Sequence, residues 1–95
     1  MIEGKTKSGF EYTVDEGVLR DYRMLDALGD IQYGSADERV FANVRLCNLL
    51  LGAEGKKKLF EHLKEPDGAV PTEKVFTEVK EIFNGILGRS KEAQN

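Results

Sequence analysis

The hydrophobic period of this chain changes once, at Asp15, and that change constrains the fold more than any other feature. Before it, Phe10, Tyr12 and Val14 alternate with Glu11 and Thr13, the period of a strand. After it, Val18, Tyr22, Leu25 and Leu28 recur three or four apart, the period of a helix. The pattern predicts a mainly α, α+β domain: an N-terminal β-hairpin followed by about four helices. At 95 residues this is one domain, with the hairpin over 1–14, a helical body over 15–88 and a polar tail over 89–95. Such a chain buries only a limited core.

The hairpin has a preferred register. A three-residue loop, Lys7-Ser8-Gly9, with Gly9 left-handed, sets Ile2 against Val14, Gly4 against Tyr12 and Thr6 against Phe10 on one face. Lys5 then meets Glu11 on the other. A two-residue loop slips the strands and sets Lys5 beside Tyr12, mixing the faces. A hairpin of two strands is marginal alone, so it must pack on the helices or pair its edge with another chain.

Asp15 reads as the N-cap of the first helix and Gly29 as its stop, with a short loop over Asp30 to Gly34. Ser35-Ala36-Asp37-Glu38 is a capping box. The helix it opens carries Val40, Phe41, Val44, Cys47, Leu50 and Leu51, with Leu46 and Leu49 widening the apolar face, and Gly52 ends it. A third helix, about Ala53 to Glu65, is expected to bury Leu59, Phe60 and Leu63. Pro66-Asp67-Gly68 makes a turn, and a last helix starts near Pro71 or Thr72. That helix presents Val75, Phe76, Val79, Ile82, Phe83, Ile86 and Leu87. Gly85 and Gly88 weaken its end, and Arg89 to Asn95 reads as a frayed tail.

The chemistry-bearing motifs dissolve on inspection. Gly52-Ala53-Glu54-Gly55-Lys56-Lys57 has two residues between its glycines where a phosphate loop has four, and Lys57 stands where that loop needs Ser or Thr. Lys56-Lys57-Lys58 is too short for a nucleic-acid footprint and reads as a solvated face. A calcium loop centred on Gly68 would place Leu63 at its first position and Lys74 at its twelfth, where acidic ligands belong. His62 stands alone without metal-ligand companions, and Cys47 lies in the apolar stripe, where an inert thiol is expected. Glu78 and Glu81 read as helix-surface residues. With a net charge of -3, wholesale phosphate binding is not expected, nor is a membrane span, for which no apolar run of roughly 20 residues exists. Met1 to Lys5 has no apolar signal core, and the single cysteine favours a reducing cytoplasm. No enzyme activity, cofactor or metal is expected.

Several strings nonetheless occur in a telling order. Thr6-Lys7-Ser8-Gly9-Phe10 leads into Tyr12-Thr13-Val14-Asp15. Leu49-Leu50-Leu51-Gly52 is followed by Lys57-Lys58-Leu59 and Glu61-His62-Leu63. Asp67-Gly68-Ala69-Val70-Pro71 then precedes an amphipathic helix. From Lys5 to Leu87 the chain resembles the small tail assembly chaperones of long-tailed, siphovirus-like phages and prophages of Gram-positive bacteria. The resemblance implies a helical protein of the host cytoplasm that binds the tape measure protein, self-associates and recruits tail tube subunits. It also implies absence from the mature virion and, in many relatives, a longer frameshifted form. The partner-facing residues expected on this reading are Leu46, Leu49, Leu50, Phe76 and Phe83, because a domain of this size cannot bury so wide an apolar surface. The competing readings are a head–tail connector or other virion component and, weakest, a small DNA-binding regulator.

Overall fold

A computed structural model of the chain describes residues 1–94, with side chains described through Gly88. Strands β1 (Ile2–Lys5) and β2 (Glu11–Val14) pair antiparallel, with Ile2 opposite Val14, Gly4 opposite Tyr12 and Lys5 opposite Glu11. This is the register that the three-residue loop predicts. The Thr6 N–H donates to the Phe10 carbonyl at 2.9 Å, and the Gly9 N–H donates to the Thr6 carbonyl at 2.9 Å. Gly9 takes φ +94°, which a side chain would strain. Thr6 is buried, and its hydroxyl accepts the Phe10 N–H at 3.1 Å, so the polar group is satisfied.

The first helix departs from expectation. Asp15 does cap, accepting the Gly17 N–H at 2.9 Å, but what it opens is a single 3-10 segment, Glu16–Arg20. Asp21 then takes extended angles and caps again, accepting the Arg23 N–H at 2.9 Å, and helix α1 runs over Tyr22–Tyr33. A short carboxylate that can bond a nearby N–H offers the backbone an alternative to helix, and two such residues split the segment. The break changes the buried face. Tyr22 and Leu25 are 78% and 64% exposed, while Met24 and Ala27 are buried and Leu28 and Ile31 pack on the core. Gly29 does not stop α1. The helix ends at Gly34, whose N–H donates to the Asp30 carbonyl at 2.9 Å.

Helix α2 (Ala36–Leu63) opens with the predicted capping box. The Glu38 N–H donates to Ser35 Oγ at 3.2 Å, and the Ser35 N–H donates to Glu38 Oε1 at 2.9 Å. Gly52 interrupts it with φ +68° and ψ −178°, a conformation open essentially to glycine alone. The helix resumes at once, so two expected helices form one kinked element, and among the described residues the α-helices number three instead of about four. Ala42, Leu46, Cys47, Leu50, Leu59 and Leu63 are buried along it. Val40, Phe41 and Val44, assigned to its apolar face from sequence, are exposed, and Phe60 is only partly covered.

A turn joins α2 to α3 (Thr72–Gln94): the Gly68 N–H donates to the Glu65 carbonyl and the Glu65 N–H to the Ala69 carbonyl, both at 2.8 Å. The Val75 N–H reaches the Pro71 carbonyl at 3.2 Å, so α3 begins directly after the proline. Val79, Ile82 and Ile86 are fully buried, as their spacing predicts. The backbone of the expected tail continues α3 as far as Gln94, whereas the side chains from Arg89 onward, and Asn95 entirely, lie outside the described residues.

The core gathers the inner face of the hairpin (Ile2, Phe10, Tyr12, Val14) against Leu59, Leu63, Val79, Ile82 and Ile86. Strand β2 lies on α2 and β1 on α3, while α1 packs against α2. Arg45 on α2 bonds both Asp26 and Asp30 of α1. These pairs lie at or near the surface, where ion pairs add little to stability, so apolar contact carries the helix pairing.

Candidate functional site

Three of the expected partner residues converge. Leu46 from α2 and Phe76 and Phe83 from α3 line a groove of about 440 Å³ with Leu28 and Ile31 of α1; Asn43, Thr77, Lys80 and Asn84 supply polar groups along it. The geometry follows from helix spacing. Phe76 and Phe83 are two turns apart on α3, about 10.5 Å along the axis, and therefore share a face. Both are half-buried, whereas Leu46 is buried and contributes the floor. The other two residues fall elsewhere. Leu49 borders a separate hollow with Arg23, Asp26, Arg45 and Asn48. Leu50 is a core residue, 4% exposed, because the face of α2 opposite Val44 is the one that meets the body.

The second apolar feature is unpaired. Val40, Phe41 and Val44 form a stripe on the outside of the first half of α2, and Phe41 is 65% exposed. Periodicity predicts that this face is apolar without reporting which neighbour covers it, and among the described residues none does.

The third feature was not anticipated from sequence. Ser8, at the tip of the hairpin, donates its hydroxyl proton to Glu78 Oε1 at 2.5 Å. Its oxygen lies 3.0 Å from His62 Nε2 and 3.2 Å from Thr6 Oγ1. Since the only Ser8 proton goes to Glu78, His62 Nε2 and the Thr6 hydroxyl must be the donors to Ser8. The Lys7 N–H donates to Glu81 Oε1 at 2.6 Å. Glu78 is thus not a surface residue; it is 4% exposed, and its Oε2 has no partner. A signal for this was present. Glu78 falls three residues after Val75 and four before Ile82, within the apolar stripe of α3. His62 is exposed, as expected, and also rests against Phe10 with ring centroids 5.6 Å apart.

Ser8, His62 and Glu78 face a cleft of about 620 Å³ with Lys64, Glu65 and Lys74. Their order of bonding differs from that of a nucleophilic triad. There the imidazole takes the serine proton and the carboxylate orients the imidazole. Here the carboxylate holds the serine directly, an arrangement that fastens the hairpin tip to α3. Cys47 is buried, and burial pushes its thiol up, away from the reactive thiolate. Among the described residues no group of three His, Cys, Asp or Glu side chains could hold a metal ion, and no helix is long and apolar enough to cross a membrane. Of the Gly52–Lys57 segment, Gly52 is the kink of α2 and the rest is helical.

No family model matches this chain, and neither a curated protein nor a solved structure matches it.

Proposed function

We propose that this protein is a tail assembly chaperone of a long-tailed phage or prophage, which holds the helical tape measure protein and self-associates during tail morphogenesis. The observation that carries the reading is the groove between α1, α2 and α3. Its apolar lining of Leu28, Ile31, Leu46, Phe76 and Phe83 suits the apolar face of an amphipathic helix. The polar groups beside it, Lys80 among them, suit an acidic residue flanking that face. A groove of this kind works by burying apolar surface and needs no reaction centre. Recruitment of tail tube subunits, action in the host cytoplasm and release before the virion matures belong to the same proposal.

The test begins with the DNA flanking the gene. A slippery run near the gene's end, followed by a long helix-coding frame, supplies the client for co-expression. The client is expected to co-purify with the native chain and not with a folded Phe83→Asp variant. Neighbouring genes of metabolism or transcription, or co-purification unaffected by Phe83→Asp, would overturn the reading.

A further inference from the structure

We infer that the outer face of the first half of α2 is a homotypic interface, on which a second copy of this chain packs its own α2 antiparallel about a two-fold axis. The inference rests on the proposed function only in expecting self-association; the client groove lies on another surface.

The argument starts from spacing. Asp37, Phe41, Val44 and Asn48 recur at intervals of four, three and four, the spacing of a coiled-coil seam, and Leu51, next in the series, is half-buried against the core and ends it. The seam faces away from the body, since Ala42, Leu46 and Leu50 on the other side of the helix are buried. Val40 lies beside it, and Phe41 and Val44 at its centre are exposed. The capping box at Ser35 and the kink at Gly52 leave a straight helix of about 24 Å between them.

The ends of the seam identify the occupant. Asp37 stands at the N-terminal end. At the other end Lys56 reaches back across the kink, and its Nζ donates to Asn48 Oδ1 at 2.8 Å. The seam is therefore acidic at one end, apolar in the middle and cationic at the other. An antiparallel second copy sets Phe41 against Val44 and Val44 against Phe41. It also sets Asp37 against Asn48 of the second copy, beside the Lys56 ammonium held there. The contact occurs twice, as a two-fold interface requires. A parallel copy would instead set Asp37 on Asp37 and Lys56 near Lys56. A seam this short makes a weak dimer whose pairing is salt-sensitive.

Sedimentation equilibrium of the full chain over a range of concentrations tests this, with circular dichroism confirming that each variant is folded. The native chain is expected to dimerise reversibly and less tightly at high salt. Phe41→Asp should weaken the dimer by about thirtyfold or more. Asp37→Lys and Lys56→Glu should each weaken it by about tenfold, because each creates two like-charge contacts. Mixing these two variants should restore association, since each supplies the charge that the other lacks. A native chain monomeric at every concentration would overturn the inference. So would a dimer indifferent to Phe41→Asp, a mixture of the two charge variants that stays apart, or a dimer displaced mole for mole by the client helix. None of the first three outcomes touches client binding, which Phe83→Asp tests separately.

Discussion

Replacing Gly85 by alanine should destabilise this protein, although alanine is the better helix former. Gly85 lies inside α3, where exchange for alanine ordinarily gains about 1 kcal/mol. Here a Cβ at position 85 would sit 2.4 Å from Tyr12 Oη, far inside contact distance, and 3.7 Å from Tyr12 Cζ, an ordinary contact. Tyr12 is buried on β2, so its rigid ring can yield only by moving the hairpin against α3. Overpacking of this kind costs about 1–3 kcal/mol, which cancels or exceeds the helical gain and leaves a net loss of up to about 2 kcal/mol. Removing the phenolic oxygen removes the clash. In a Tyr12→Phe background, Gly85→Ala should therefore stabilise by about 1 kcal/mol. The two substitutions are thus coupled by about 1–3 kcal/mol. Urea unfolding of the four proteins of this cycle measures the coupling, provided the m-values agree. If Gly85→Ala stabilises the native background, or the coupling lies within about 0.3 kcal/mol of zero, the packing of α3 on Tyr12 is not as described.

Three further outcomes follow from particular contacts. Ser8→Ala leaves the buried Glu78 carboxylate without its donor and should cost about 1–3 kcal/mol in urea unfolding, far more than a loop serine without a buried partner would; a loss within about 0.5 kcal/mol would refute the role given to that bond. Gly52→Ala has open space for its methyl group but must adopt φ +68° with ψ −178°, and should cost about 1–3 kcal/mol by backbone strain alone, read as a lower denaturation midpoint. The hydrogen bond from the Arg23 side chain, followed by that from the Arg23 N–H, lowers the Asp21 carboxyl from 3.8 to about 2. A group lowered on folding stabilises above its unfolded pKa and loses that contribution as pH falls through the folded value. The contribution of Asp21 should thus be complete above about pH 5 and fade as pH falls through about 2, and Asp21→Asn should flatten stability over that interval; an NMR titration placing the carboxyl near 4 would refute it.

Local chemistry made much of the fold legible. The hairpin register follows from alternation and a three-residue glycine loop, both short-range. The capping box follows from Ser35 and Glu38, three residues apart. The break at Gly52 and the turn at Pro66–Gly68 follow from backbone permissions of single residues. The start of α1 differs from what the period predicts because Asp15 and Asp21 are both competent caps, and the two split what the period presents as one helix. Of the groove, the sequence marked Leu46, Phe76 and Phe83, but burial of Leu50 turned on how α2 is rotated against its neighbours.

The sequence by itself determined the capping box that opens α2, which faces are apolar and how the strands pair, because those depend on residues only a few positions apart. Tertiary structure alone decided that Val40, Phe41 and Val44 face outward and that Leu28 and Ile31 join Phe76 and Phe83 in a groove. It also decided that Glu78 lies buried, accepting a hydrogen bond from a serine 70 residues away. The physical reason is that burial is a property of pairs of surfaces. An apolar face is visible along one helix, whereas the surface that covers it depends on the angle and rotation at which distant segments meet.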